Sequence, residues 1–259
     1  MPINNHIVQS TTIIFDSDGL RLKGVLNAAA GDDPPIVIGS HGLLSIGNSP
    51  KQMALAETLN IHGISYFRFD HRGCGESEGD FRQETSLDSR KKDLLNAVKA
   101  LQEHGVSTER IGLFGSSFGG SAVLSAFKDI SPKAAVILAS PVKSGPVSEA
   151  LLRLEKSIIT GENQRPFLPD AEFVEKCLRF DIENSIGGIS KTLVIHGEKD
   201  EIVPLKHAHI IFSKLSDPKE LIVFPDGDHR VSNPAHQKIF LKMASSWFRT
   251  YLTEPQKKT

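Results

Sequence analysis

The sequence predicts an α/β fold built on a mostly parallel sheet with helices on both faces. Three observations carry that expectation. Short, wholly apolar runs such as Ile36-Val37-Ile38-Gly39 and Ala134-Ala135-Val136-Ile137-Leu138-Ala139 have the look of strands buried on both faces. Segments of helical periodicity separate the later runs, and that alternation marks parallel strands joined by crossover helices. Polar, glycine-containing clusters follow the strands at their carboxyl ends, where the sites of open parallel sheets collect.

The bulk properties agree. A chain of 259 residues, 39% hydrophobic and 24% charged, is long enough for one large α/β domain or two small ones. The net charge of -1 leaves no electrostatic footprint for nucleic acid or an anionic membrane surface, so neither is expected as a partner. No uninterrupted apolar run approaches the roughly 20 residues that span a bilayer. Met1 to His6 lacks the basic region and apolar core of a secretory signal. Cys74 and Cys177, far apart in sequence, read as free thiols of a reducing compartment, although a single bridge stays open; a cytoplasmic location is expected.

Taken in order, Thr11–Phe15 and Arg21–Leu26 read as two strands around the turn residues Asp16-Ser17-Asp18-Gly19, an antiparallel hairpin with one wet face. Ile36–Gly39 follows and ends in Ser40-His41-Gly42-Leu43. Ser49 and Pro50 open a helix as N-cap and first residue, and Gly63 closes it. Ile64–Phe69 returns as a strand into Asp70-His71-Arg72-Gly73-Cys74-Gly75-Glu76-Ser77. Helical spacing of Leu87, Leu94, Leu95, Ala97, Val98 and Leu101 predicts a helix from Thr85 to about His104. The strand starting at Ile111 runs into Gly115-Ser116-Ser117-Phe118-Gly119-Gly120, with a small-residue helix directly behind it. Lys191–Ile195 and Glu220–Phe224 are further strands, separated by a helix from Pro204 with Leu205, Ala208, Phe212 and Leu215 on one side. Asn233-Pro234 caps a last helix in which Phe240, Met243, Trp247 and Tyr251 share a face. The sum is roughly eight strands in a single domain spanning 1–259. Over Pro141–Ser190 the alternation lapses into short helices, either a long crossover or a small lid beside the site; the lid is the favoured expectation.

Gly115-Ser116-Ser117-Phe118-Gly119 fits G-x-S-x-G, a sharp strand-to-helix turn that presents a serine; only Ser117, not Ser116, has the glycine spacing. The clusters at Ser40-His41-Gly42-Leu43, Asp70-His71-Arg72-Gly73, Glu198-Lys199-Asp200 and Asp226-Gly227-Asp228-His229 all fall past strand ends, so one edge of the sheet gathers them. Among them a serine, an acid and a histidine follow one another in chain order.

With these motifs the chain resembles the α/β-hydrolases of the small esterase and serine aminopeptidase-like branch, similar in layout to feruloyl-esterase-type carboxylesterases. The likeness covers nearly the whole chain and is weakest over Pro141–Ser190. It implies the α/β-hydrolase fold, with Ser117 as nucleophile, His229 as base and Asp200 as the acid that orients it. Glu198 and Glu201 compete with Asp200, and the Asp-x-x-Val-Pro context favours Asp200. It implies backbone N–H groups of Leu43 and Phe118 as an oxyanion hole. His41 is expected to brace that hole, Asp70, Arg72 and Ser77 to knit the loop beneath it, Asp228 to brace the His229 loop, and Cys74 to fill space. Arg72 has a second reading as a contact for a substrate carboxylate.

The implied reaction is hydrolysis of a small-molecule carboxylic ester, its acid small to medium-sized or aromatic, through an acyl-enzyme. A thioesterase or small-substrate peptidase would use the same residues, and a non-catalytic binding protein would keep the fold. No cofactor is expected. No metal is expected either, because His6, His62, His104, His207, His209 and His236 form no convergent ligand set. Nothing in the sequence sets an oligomeric state.

Overall fold

The computed structural model describes residues 9–153 and 169–253. Asp18 and Gly19 both adopt positive φ, 57° and 85°, as a type I′ turn requires. They join β1 (Gln9–Ser17) to β2 (Leu20–Ala28) antiparallel, with Ser17 opposite Leu20. Ile13 and Phe15 are buried while Ile14 is exposed, so the hairpin has the wet face its alternation predicts.

From β3 (Ile36–Ser40) onward the strands run parallel: β4 (Ser65–Phe69), β5 (Ile111–Ser116), β6 (Ala134–Leu138), β7 (Thr192–Gly197) and β8 (Lys219–Phe224). Among the described residues the eight strands form one sheet in the order β1-β2-β4-β3-β5-β6-β7-β8, with β2 antiparallel to β4. The helices are α1 (Pro50–Ile61), α2 (Phe81–Glu84), α3 (Leu87–Glu103), α4 (Phe118–Ile130), α5 (Gly145–Leu152), α6 (Ala171–Cys177), α7 (Lys206–Lys214) and α8 (Pro234–Leu252). Successive strand residues part to opposite faces. Ile38, Phe67, Leu113, Ile137 and Val194 join Leu94, Leu101, Ala122 and Ile211 in one core layer. Val37, Tyr66, Phe114, Val136 and Leu193 join Leu55, Leu59, Phe240 and Phe248 in the other. This is the α/β-hydrolase fold.

Three helices differ from the sequence expectation. The stretch before α3 breaks in two: Asp80 caps α2 through Gln83 N, and Ser86 with Ser89 forms a capping box that starts α3 at Leu87. Helix α7 starts at Lys206; of the expected side, Ala208 and Leu215 are buried and Leu205 packs on the core, but His207 and Ile211 are buried in place of Phe212. In α8 the buried row is Phe240, Ala244, Phe248 and Leu252. Its place is fixed by Phe114, whose ring lies 5.7 Å from that of Phe240, and by bare Gly112, where a Cβ would lie 2.8 Å from Phe248. Trp247 sits on the flank because its indole N–H donates to Lys191 O at 3.0 Å.

Of the segment 141–190, residues 154–168 lie outside the described residues, and with them Leu154, Ile158, Ile159, Phe167 and Leu168 of the expected lid. The described parts carry α5 and α6 and a bridge between Lys143 and Asp181. Helix α6 docks on α2: the Phe81 and Phe173 rings stack at 5.7 Å, and Arg82 pairs with Asp170 and Glu172. Cys74 and Cys177 are buried free thiols.

Candidate active site

Ser117 stands between β5 and α4 at φ 52°, ψ -128°, a backbone conformation that costs a non-glycine residue about 1–3 kcal/mol. Its surroundings permit the turn because both flanking glycines lack a side chain. A Cβ on Gly115 would lie 2.5 Å from Gly120 Cα, and one on Gly119 would strike the Ser40 and His41 carbonyls. Hydrogen bonds lock the turn from both sides: Ser117 N donates to Leu138 O at 2.8 Å, and Gly120 N donates to Ser117 O at 2.9 Å.

The loops after β7 and β8 bring the histidine and the acid to this serine. His229 Nε2 is 3.1 Å from Ser117 Oγ, and His229 Nδ1 is 2.8 Å from Asp200 Oδ2. With Nδ1–H directed at the carboxylate, Nε2 is left as an acceptor for the serine hydroxyl. Asp200 Oδ1 also accepts from Ile202 N at 2.9 Å and Val203 N at 2.7 Å. Burial pushes the Asp200 carboxyl up, but bonds from His196, His229 and Val203 N and the His229 charge outweigh it and hold it well below the usual carboxylate range. Of the competing acids, Glu201 meets the His229 backbone rather than its ring, accepting its N–H at 3.2 Å. Asp228 accepts from Ser232 N at 2.7 Å, the loop-bracing contact expected of it.

The β3–α1 loop lies against the serine from the other side. A Cβ on Gly42 would sit 3.4 Å from Ser117 Cβ. Among the described residues the Leu43 and Phe118 N–H groups donate to no protein acceptor. Arg90 of α3, 1% exposed, runs beneath the loop and donates to His41 O at 3.0 Å and Leu43 O at 3.2 Å.

Deeper still is a network in which the expected bracing and loop-knitting residues His41, Asp70, Arg72 and Ser77 are joined by Ser17, Ser40, His71 and Asp93, whose part the sequence reading did not identify. His71 Nε2 is 2.9 Å from Ser40 Oγ, and His71 Nδ1 is 3.2 Å from Asp93 Oδ2. Arg72 Nε and Ser17 Oγ both donate to Asp93 Oδ1 at 2.8 Å. His41 Nε2 accepts from His71 N at 3.1 Å, and its Nδ1 lies 2.8 Å from Gly42 O. Asp70 accepts from Gly47 N at 2.7 Å and Glu76 N at 3.0 Å, while Ser77 Oγ donates to Asp70 O at 2.6 Å. Arg72 is thus spent inside the protein rather than open to a substrate carboxylate. Burial pushes the Cys74 thiol up to about 11, which keeps it protonated and inert.

Besides Arg90 and Asp93, the residue missed at the site itself is His196. Its Nε2 lies 2.7 Å from Val203 O and 3.3 Å from Asp200 Oδ2, under the acid. Its position at the carboxyl end of β7 was the one available signal. The described residues contain no group of three or more His, Cys, Asp or Glu arranged to hold a metal, and no helix among them is long and apolar enough to cross a membrane.

The family model for the prolyl oligopeptidase family matches residues 51–255, which take in the elbow, Asp200 and His229. The chain belongs to the prolyl oligopeptidase family. It is therefore a hydrolase of the α/β type. The uncharacterized protein YfhR of Escherichia coli K12 is 30% identical over 220 residues, covering 82% of this chain and 70% of its own. The uncharacterized peptidase YtmA of Bacillus subtilis is 28% identical over 96% of both chains. Among solved structures, Est1E of Butyrivibrio proteoclasticus, bound to ferulic acid, superposes with a TM-score of 0.77 at 21% identity, covering 93% of this chain and all of its own. That last likeness is one of fold.

Proposed function

We propose that this family member is a serine hydrolase that cleaves a carboxylic ester of a small to medium-sized or aromatic acid. The observation that carries the reading is the hydrogen-bonded row Ser117–His229–Asp200 at a strained strand-to-helix turn. Ser117 Oγ attacks the acyl carbon while His229 Nε2 takes its proton, and the imidazolium that forms is stabilised by the ionised Asp200. The developing oxyanion is received by the Leu43 and Phe118 N–H groups, an arrangement in which one donor is typically worth about 3 kcal/mol. His229 returns the proton to the departing alcohol as the acyl-enzyme forms. It then takes a proton from water, whose oxygen attacks the acyl carbon, and the bond to Ser117 Oγ breaks as His229 reprotonates that oxygen and the acid leaves. Helix α6, held on α2 through Phe173, is assigned part of the wall over the acyl group.

The test is turnover of p-nitrophenyl acetate and butyrate, together with labelling by a fluorophosphonate. The reading expects label on Ser117 and turnover that Ser117→Ala abolishes; unchanged turnover in that variant overturns it. Membership of a peptidase family and a Bacillus relative named as a peptidase favour a second reading, amide cleavage by the same residues. Faster acylation by aminoacyl p-nitroanilides than by matched esters would select it.

A further inference from the structure

Arg90 has no carboxylate among its hydrogen-bond and ion-pair partners in the described residues, although it is 1% exposed. An apolar side chain would fill the same space without the cost of desolvating a charge. What the guanidinium does touch is three consecutive carbonyls. Nη1 donates to His41 O at 3.0 Å and lies 3.4 Å from Gly42 O, and Nη2 donates to Leu43 O at 3.2 Å. Its Cζ also lies 5.5 Å from the centre of the Phe118 ring. It therefore contacts both Leu43 and Phe118, whose N–H groups donate to no protein acceptor among the described residues.

The C=O and N–H of a trans peptide point in opposite directions. Drawing the Gly42 carbonyl inward, onto Arg90 and the His41 Nδ1–H at 2.8 Å, turns the Leu43 N–H of the same peptide outward. Ser117 packs against this peptide, its Cβ lying 3.4 Å from where a Gly42 Cβ would be. A cation on the carbonyl side of an amide also polarises it and strengthens its N–H as a donor, more so where water is excluded. We propose that Arg90 is a positioning residue for the oxyanion donors: it aims and polarises the Leu43 N–H through the 42–43 peptide and backs Phe118 through its ring. The inference rests on the serine-hydrolase reading.

Arg90→Met and Arg90→Lys separate it from a structural role. For both, kcat and KM are measured on p-nitrophenyl acetate, with the inhibition constant of a trifluoromethyl ketone whose adduct on Ser117 carries an oxyanion. Arg90→Met is expected to lower kcat about 10- to 100-fold, less than or equal to the loss of a whole donor, with KM within about threefold. Inhibitor affinity falls by the same factor, and Arg90→Lys recovers part of both. A folded Arg90→Met protein with kcat within about twofold of wild type, or with changes only in KM and melting temperature, overturns the inference. If Arg90→Met does not fold, Arg90→Lys decides: parallel falls in kcat and inhibitor affinity sustain the proposal, and one moving alone or neither moving overturns it. Wild-type protein that neither turns over ester nor takes label at Ser117 defeats the hydrolase reading itself, a result distinct from an active enzyme indifferent to Arg90.

Discussion

Two rows of serine, histidine and aspartate lie in this protein with nearly the same spacing. In the outer row, Ser117 Oγ to His229 Nε2 is 3.1 Å and His229 Nδ1 to Asp200 Oδ2 is 2.8 Å. In the inner row, Ser40 Oγ to His71 Nε2 is 2.9 Å and His71 Nδ1 to Asp93 Oδ2 is 3.2 Å. What differs is the setting. The His229 side chain keeps 16% exposure, whereas the His71 and Asp93 side chains have none. Burial and the nearby Arg90 push His71 down to about 4 against the pull of Asp93, so it resists the proton that a base must take up. Ser40 ends a regular strand, while Ser117 is held at positive φ, next to Phe118, whose N–H has no protein acceptor among the described residues. The same three side chains therefore knit a loop in one place and, in the reading proposed above, perform acyl transfer in the other. Access, backbone strain and oriented donors make the distinction.

Breaking each row should give opposite kinds of loss. Ser117→Ala is expected to lower kcat/KM by roughly 10⁴-fold or more with little change in melting temperature. Asp200→Asn should cost about 10⁴-fold by favouring the wrong His229 tautomer. Asp93→Asn should instead destabilise by about 3 kcal/mol in urea unfolding, because it takes the buried carboxylate from Arg72 and leaves that charge only the half-exposed Asp18 and Glu84. The Asp93→Asn protein that remains folded should keep activity within about tenfold, a bound that a loss like that of Asp200→Asn would contradict.

The inner row also sets an acid limit. His71 binds its proton near pH 4 when folded and near 6.5 when unfolded, so between those values the unfolded chain holds more protons. Stability is present above pH 6.5 and falls as the pH drops toward 4. Asp93 follows the same direction: with its folded pKa held at about 2 by His71 and Arg72 despite burial, its contribution is lost between about 4 and 2. Urea midpoints measured from pH 7 to 4 should decline, and His71→Gln should flatten that decline. The smallest effect should come from Glu201→Gln, whose exposed contact with His229 N predicts turnover within about threefold of wild type.

Much of this was legible before the structure. Ser117, Asp200 and His229 each close a motif of fixed shape, and their strands carry unbroken apolar runs, so order and edge could be read together. The inner row is marked only in part: Ser40 and His71 sit in the clusters past β3 and β4, but Asp93 sits in no motif. Asp93 lies in mid-helix among Lys91, Lys92 and Leu94, where a carboxylate reads as a solvated charge. Arg90 reads the same way; only the folding of α3 under the β3–α1 loop turns both inward. The α8 face was misjudged for a related reason. Phe240, Met243, Trp247 and Tyr251 are the bulkier set, but bare Gly112 on the sheet receives Phe248 instead.

One consequence of the strand order concerns synthesis. β8, the last strand among the described residues, forms one edge of the sheet and is followed by the loop that carries His229. A ribosome releases Ser117 and its elbow 112 residues before the histidine that meets it. Domains fold as their chains emerge, amino-terminal parts first. No nascent chain short of β8 therefore holds the row intact, and in the proposed reading the serine stays unactivated until the sheet is complete. In that reading, a nascent chain arrested before β8 should take no fluorophosphonate label at Ser117, and the full chain should take it.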